Sequence, residues 1–307
     1  MPKLKLRQPA QTAWPLVLGA AVGQNSQDFF ALGFSADYDD YQAKLYPPGD
    51  GYTHILHFKD LQQHRVCRIP NLLSGMWLSL SGKVLVVGNP DGIFEIDSAT
   101  CNETEIKGLP GVLTAIWGVS NDHIFVCGVF DAFILYKRSN SWNLLQVPEG
   151  IGDALFDITG FNEQDVYFAG SHGTLLHYDG QAIQRLEVPT TENLSALLVF
   201  DEKNVCVGGN RGVFLFGNRK GWRYVPTGTH QPITSFALFN DQVCYPSEDG
   251  IWSFDGKSSP KLLVEHPAIW VNGLVDAISF TDYDNRNWIF NGKTVLELDA
   301  ILSETVQ

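Results

Sequence analysis

The sequence predicts an all-β chain of seven four-stranded antiparallel units, closed into a ring and forming one domain over 1–307. Three observations carry that prediction. A proline recurs at the end of the last strand of each unit, and a glycine tends to close the second strand. The chain also opens on a strand of the type its last unit lacks. Composition agrees: 44% of the residues are hydrophobic, and 19 Phe, 10 Tyr and 8 Trp suit pleated surfaces better than helices. A length of 307 residues is long for an ordinary domain but usual for closed β architectures.

The most regular unit is Leu113–Pro148. It reads as strands at Thr114–Gly118, His123–Cys127, Phe133–Lys137 and Trp142–Val147, separated by short turns such as Val129–Ala132. A lone meander of this kind cannot cover both of its faces, so it requires neighbours like itself. The chain supplies them. Fourth strands end at Pro9, Pro70, Pro110, Pro148, Pro189, Pro226 and Pro267, at intervals of 61, 40, 38, 41, 37 and 41 residues. Proline has no N–H to give to a ladder, so it suits the exit from an outer strand and forbids its continuation. Seven of the 15 prolines occupy this one position, which makes the period a property of the whole chain.

Second strands close on Gly33, Gly88, Gly128, Gly170 and Gly208, while the sixth copy carries Pro246 and the seventh, WIFNG, has drifted. Third strands follow as HILHF, GIFEID, FILYK, GTLLHYDG, GVFLFG, GIWSFDG and TVLELD. First strands hold small residues, among them Gly19, Ser79, Ala115, Thr159, Ala196, Ala237 and Ala277, as expected where seven strands converge on an axis. The last unit, 268–299, then lacks an outer strand, and residues 3–9 are expected to complete it and close the ring.

On these residues the whole chain resembles a seven-bladed β-propeller. The segment DVYFAGSHGTLLHYDG, Asp165–Gly180, is similar to degenerate propeller repeats common in bacterial proteins. The architecture is WD40- or kelch-like without those families' signatures: the Gly-His and Trp-Asp pairs are missing and a diglycine occurs once, at Gly208-Gly209. The resemblance implies a scaffold and no specific activity.

Charge narrows the partners. With 21 basic against 34 acidic residues the net charge is −13, a field that repels nucleic acid and anionic lipid and favours a basic protein. Lys3, Lys5 and Arg7 before Ala13–Gly23 loosely mimic a secretory leader, but Pro15 and glycines interrupt it, so the expected location is cytoplasmic. Five cysteines without a CxxC read as buried reduced thiols.

In a propeller, the connections from fourth to first strands and the turns from second to third strands share one face. Here these connections would be Gln11–Pro15, Asn71–Gly75, Glu149–Ala154, Thr190–Leu194, Thr227–Ile233 and Ala268–Gly273. The first unit adds a 20-residue insert, FSADYDDYQAKLYPPGDGYT, which accounts for the interval of 61. It holds Asp37, Tyr38, Asp39, Asp40, Tyr41, Tyr46 and Tyr52. Tyrosine offers rigid contact area and carboxylates select a basic partner; a solvated excursion is the bland alternative. Trp14 and Trp270 fall in inter-unit loops, where each either lines the mouth or packs beneath a loop. Asp153, Glu192, His230, Glu248 and Asp249 complete the candidate binding set, although several also suit simple turn chemistry.

No catalytic set appears. His57 and His177 recur at one repeat position, which argues for a structural role. The remaining histidines show no HxH or HExxH spacing, and no GxSxG elbow is present. No cofactor or metal is expected. The reading is a non-catalytic, protein-binding propeller, monomeric when free, of the kind by which bacterial immunity proteins neutralise a basic toxin or effector. The alternatives are a carbohydrate-binding or glycan-processing propeller, with Trp14, Trp270 and the tyrosines as stacking platforms, and a subunit of a larger assembly.

Overall fold

A computed structural model of the chain describes residues 13–35, 53–70, 72–89, 92–96, 101–139 and 141–303. These form seven antiparallel sheets, each a meander, set in a ring as a seven-bladed β-propeller. Blade one contains β1 (Ala13–Asn25), β2 (Asp28–Ser35), β3 (Thr53–Lys59) and β4 (Gln62–Ile69). Blade two contains β5 (Leu72–Leu78), β6 (Val84–Asn89), β7 (Gly92–Ile96) and β8 (Cys101–Glu105). Blade three contains β9 (Val112–Ser120), β10 (His123–Val129), β11 (Phe133–Arg138) and β12 (Ser141–Leu145). Blade four follows with β13 (Leu155–Asn162), β14 (Asp165–Gly170), β15 (Leu175–Tyr178) and β16 (Ile183–Arg185). Blade five has β17 (Leu194–Val199), β18 (Val205–Gly209), β19 (Phe214–Asn218) and β20 (Gly221–Tyr224). Blade six has β21 (Ala237–Phe239), β22 (Gln242–Ser247), β23 (Gly250–Phe254) and β24 (Lys261–Val264).

Blade seven departs from the expected closure. Its strands are β25 (Trp270–Leu274), β26 (Ala277–Thr281), β27 (Asn287–Phe290) and β28 (Val295–Leu298), so its outer place is filled from within the blade. The segment expected as its third strand, TVLELD, supplies the fourth. The true second strand ends at Thr281 without a glycine, which let WIFNG pass for it in the sequence. Residues 3–9 lie outside the described residues. The ends of the described chain meet elsewhere: β29 (Ile301–Ser303) pairs antiparallel with Ala13–Pro15, giving the first sheet a fifth strand. Just beyond that pairing, the Leu16 amide donates to the Ala300 carbonyl at 2.8 Å.

The glycine marker has a steric cause. A Cβ at Gly88, Gly128 or Gly170 would stand 2.3, 2.5 or 2.2 Å from the carbonyl oxygen of Leu72, Val112 or Ala154, where the first strand of the same blade begins. Glycine is required there because two backbones meet without room for a side chain.

The core is divided among the seven junctions between blades, with one buried cluster in each. Between blades three and four, Phe125 stacks on Tyr136 at 4.2 Å and meets Phe168 edge-on. Between blades five and six, Phe214 meets Tyr245 and Phe254 in edge-to-face contacts. Between blades seven and one, Leu16 and Phe29 share a cluster with Ile289 and Leu298. Burying each such side chain contributes about 1.5–3 kcal/mol. A blade removed from the ring would expose half of two clusters, so the blades stabilise one another.

A second system ties the junctions near the axis. Ser74, Thr114 and Ser195 are the extra residues at register breaks in β5, β9 and β17. Each hydroxyl donates to a backbone carbonyl of the next blade: Ser74 to Thr114 at 2.9 Å, Thr114 to Leu155 at 2.7 Å, Ser195 to Ile233 at 3.1 Å. A bulge turns a side chain out of the normal alternation, here toward the neighbouring blade. In blade four the extra residue is Phe156, which has no polar group, and the tie is made by Asp157, whose carboxylate accepts the Leu197 amide at 2.6 Å. Thr234 donates to Ile269 at 2.5 Å, and Asn272 donates to Gly19 at 2.9 Å. At the junction of blades one and two the tie comes from a third strand, where Thr53 Oγ1 accepts the Leu73 amide at 3.0 Å.

Candidate binding face

The connections between blades and the turns from second to third strands lie at one end of the ring, and their polar residues link from one blade to the next. Asp153, just before β13, accepts the Ser171 hydroxyl of the β14–β15 turn at 3.2 Å. The His172 amide of the same turn donates to Asn193, in the connection to blade five, at 3.0 Å. Glu192 of that connection pairs with Arg211 of the β18–β19 turn at 3.2 Å. The carboxylate of Glu248, in the β22–β23 turn, accepts the amide of Gln231 from the preceding connection at 2.6 Å. Tyr283 of the β26–β27 turn has its phenol pushed above the ordinary range by burial and by the nearby charge of Glu248. His230 and Asp249 are exposed on the same end, and the Asp249 amide is held by the Ser247 hydroxyl at 3.1 Å. Asp153, Glu192, His230, Glu248 and Asp249 therefore belong to one continuous rim over blades four to seven.

The tryptophans sit differently from the expectation. Trp14 lies in β1, paired with Leu302, and Trp270 opens β25, opposite Thr281. Neither is in a loop: the first strands begin earlier than their small residues indicated, so parts of the segments 11–15, 71–75 and 268–273 are strand. Trp270 is still 40% exposed at the rim. The insert residues Asp37, Tyr38, Asp39, Asp40, Tyr41, Tyr46 and Tyr52 lie outside the described residues. The strands on either side of the insert are described, and Phe34 of β2 pairs with Thr53 of β3, so the end of β2 and the start of β3 stand at this same end.

Two exposed aromatics here escaped the sequence reading. Tyr283, in the β26–β27 turn of blade seven, is 44% exposed. Phe130, in the β10–β11 turn, is 69% exposed and adopts φ 63°, followed by Asp131 at φ 80°. A bulky residue in the left-handed region is uncommon, and a large apolar side chain exposed there is more so. The signal was present in the sequence as an apolar residue at the tip of a tight turn.

The turn of blade seven is fixed by Asp282. Its Oδ1 accepts the amides of Asp284 and Arg286, both at 2.9 Å, while Oδ2 accepts the Trp288 indole at 2.8 Å and faces His266 Nε2 at 3.4 Å. Burial alone would raise this carboxyl, but the donors around it outweigh burial and hold it below the usual carboxylate range. The Asp/Asn-rich segment Thr281–Asn287 is thus a self-capped turn. At the opposite end of the ring, His57 pairs with Asp28 and His177 with Asp165, each at 2.7 Å and each joining a third strand to the start of a second strand. These are scaffold contacts. Among the described residues, no group of three or more His, Cys, Asp or Glu side chains is placed to hold a metal, and no helix is long and apolar enough to cross a membrane.

No family model matches the chain. It is 24% identical over 198 residues to a protein called Immune protein Tsi7 from Pseudomonas aeruginosa, a stretch covering 59% of this chain and 60% of that protein's length. Among solved structures it is similar to the WD40 β-propeller domain of Doa1, with a TM-score of 0.67 at 12% identity, covering 95% of this chain and 94% of that one. The RRP9 WD40 repeats give 0.66 at 14% identity, with 87% of each chain covered. These structural likenesses show the fold alone.

Proposed function

We propose that this chain is a non-catalytic binding protein of the immunity type, which neutralises a basic toxin or effector by covering it with the rim just described. The observation that carries the reading is the composition of that rim. Around the ring Asp153, Glu192, Glu248 and Asp249 lie between the exposed ring of Phe130 on blade three and those of Trp270 and Tyr283 on blade seven, on a chain of net charge −13. Aromatic anchors surrounded by carboxylates suit a basic protein surface: the rings supply desolvated contact area, and the charges steer the encounter and reject acidic competitors. The sequence between β2 and β3 carries Asp37, Asp39 and Asp40, which add to that field in this reading. The name of the Pseudomonas relative points the same way. Free protein is monomeric in this account and acts in the cytoplasm.

Affinity capture from the producing cells, at low and high salt, tests the proposal. Wild type should recover a basic protein whose retention falls as salt rises, and charge reversal at Asp37, Asp39 and Asp40 should reduce recovery. Recovery of an acidic partner, or indifference to those substitutions, would overturn it. A glycan-binding alternative draws on the exposed rings of Trp270 and Tyr283, both on blade seven, and a glycan array separates the two.

A further inference from the structure

We propose that Cys67 and Cys101 form a reversible disulfide when the protein meets hydrogen peroxide, clasping the outer edges of blades one and two. Cys67 lies in β4 and Cys101 opens β8, the outermost strands of adjacent blades. The Cys67 and Cys101 side chains pack against the same cluster from adjacent blades, close enough for each thiol to feel the other across the junction. The backbone brings this about. Ile55 pairs with Cys67 and Leu56 with Arg65, which leaves Val66 as an extra residue in β4. Successive residues of a regular strand face opposite sides, yet Val66 and Cys67 both pack against the cluster shared by blades one and two, as does Cys101. The other cysteines, Cys127, Cys206 and Cys244, are fully buried in the second strands of three other blades. Cys67 and Cys101 are only partly covered, so a small oxidant reaches them.

The chemistry assigns each sulfur a part. Cys101 loses its proton first, because the neighbouring Cys67 thiol favours its charged form against burial. Its thiolate attacks one oxygen of hydrogen peroxide; the S–O bond forms as the O–O bond breaks, and the departing hydroxide takes up a proton to become water. Cys67 then gives up its proton and attacks the sulfenic sulfur. The S–S bond forms, the S–O bond breaks, and a second water leaves. Two thiols and one peroxide yield one disulfide and two waters. Burial raises both thiols above their ordinary range, so the reaction is slow at neutral pH and quickens with alkalinity.

The full chain is treated with hydrogen peroxide, its remaining thiols are alkylated, and the unreduced peptides are mapped by mass spectrometry. The expected product is a Cys67–Cys101 cross-linked peptide that dithiothreitol reverses, with Cys127, Cys206 and Cys244 still reduced. Because the bond closes a long loop in the unfolded chain, Tm should rise by roughly several degrees. Cys67→Ser should abolish the cross-link and leave Cys101 as a sulfenic or sulfinic acid. Separate oxidation of the two sulfurs in wild type, pairing between molecules, or resistance of both thiols to peroxide would each overturn the proposal.

Discussion

Asp157 accepts the Leu197 amide at 2.6 Å and its own neighbour Ile158's amide at 2.8 Å, making a carboxylate the tie between the innermost strands of blades four and five. Its counterparts at other junctions are hydroxyls or an amide. Asp157 is part-buried near the axis, and burial outweighs the two amides, raising its carboxyl from 3.8 to about 7. Below the unfolded value both states hold the proton. Between 3.8 and about 7 the unfolded chain has lost it and the folded chain has not, so stability falls as pH rises through this window and levels off above it. Replacing Asp157 with Asn should flatten that slope. Denaturant midpoints for the two proteins across the window measure it, and parallel pH profiles would count against this ionisation.

Asp282 has the opposite sign. Its carboxyl is held below the usual range, so it stabilises the fold above the unfolded value, and that contribution disappears as pH falls through the folded value. Asp282→Ala should cost about 2–4 kcal/mol, because it strips acceptors from the Trp288 indole and two turn amides at once. Denaturant unfolding monitored by tryptophan fluorescence reads the loss; a change below about 0.5 kcal/mol would show that the turn holds itself without the carboxylate.

Phe130 separates folding from binding. At φ 63° a glycine suffers no Cβ clash, so Phe130→Gly should leave stability unchanged within about 1 kcal/mol. If the ring is a docking anchor, the same substitution should weaken partner binding by about tenfold or more, measured by titration calorimetry once the partner is in hand.

Ser195→Ala removes one tie at the axis, leaving the Ile233 carbonyl without the serine hydroxyl. The expected cost is about 1 kcal/mol, with the ring intact by circular dichroism.

Much of the fold was legible in the sequence because two of its constraints fall on distinctive residue types. A glycine is needed where the start of a first strand crosses the end of a second, as at Gly170 beside Ala154, and a proline stands between one and five residues beyond the outer strands of blades one to six, as Pro70 follows Ile69. Blade seven was misread because Thr281 ends its second strand with no such mark. The inner ties were invisible in the sequence: Ser74 and Thr114 look like ordinary strand residues until a bulge re-aims them. On the candidate face, loop position located Glu192 and Glu248, but their partners Arg211 and Gln231 follow only from which loops stand side by side. Tyr283 and Phe130 were passed over because a lone aromatic in a turn has no period to announce it.

The most direct measurement of the central claim is the affinity of the captured partner for wild type and for the variant with Asp37, Asp39 and Asp40 reversed to lysine, at low and high salt. The account predicts a basic partner, bound more weakly as salt rises and more weakly still by the variant. A partner held equally by both proteins, with no dependence on salt, would contradict it.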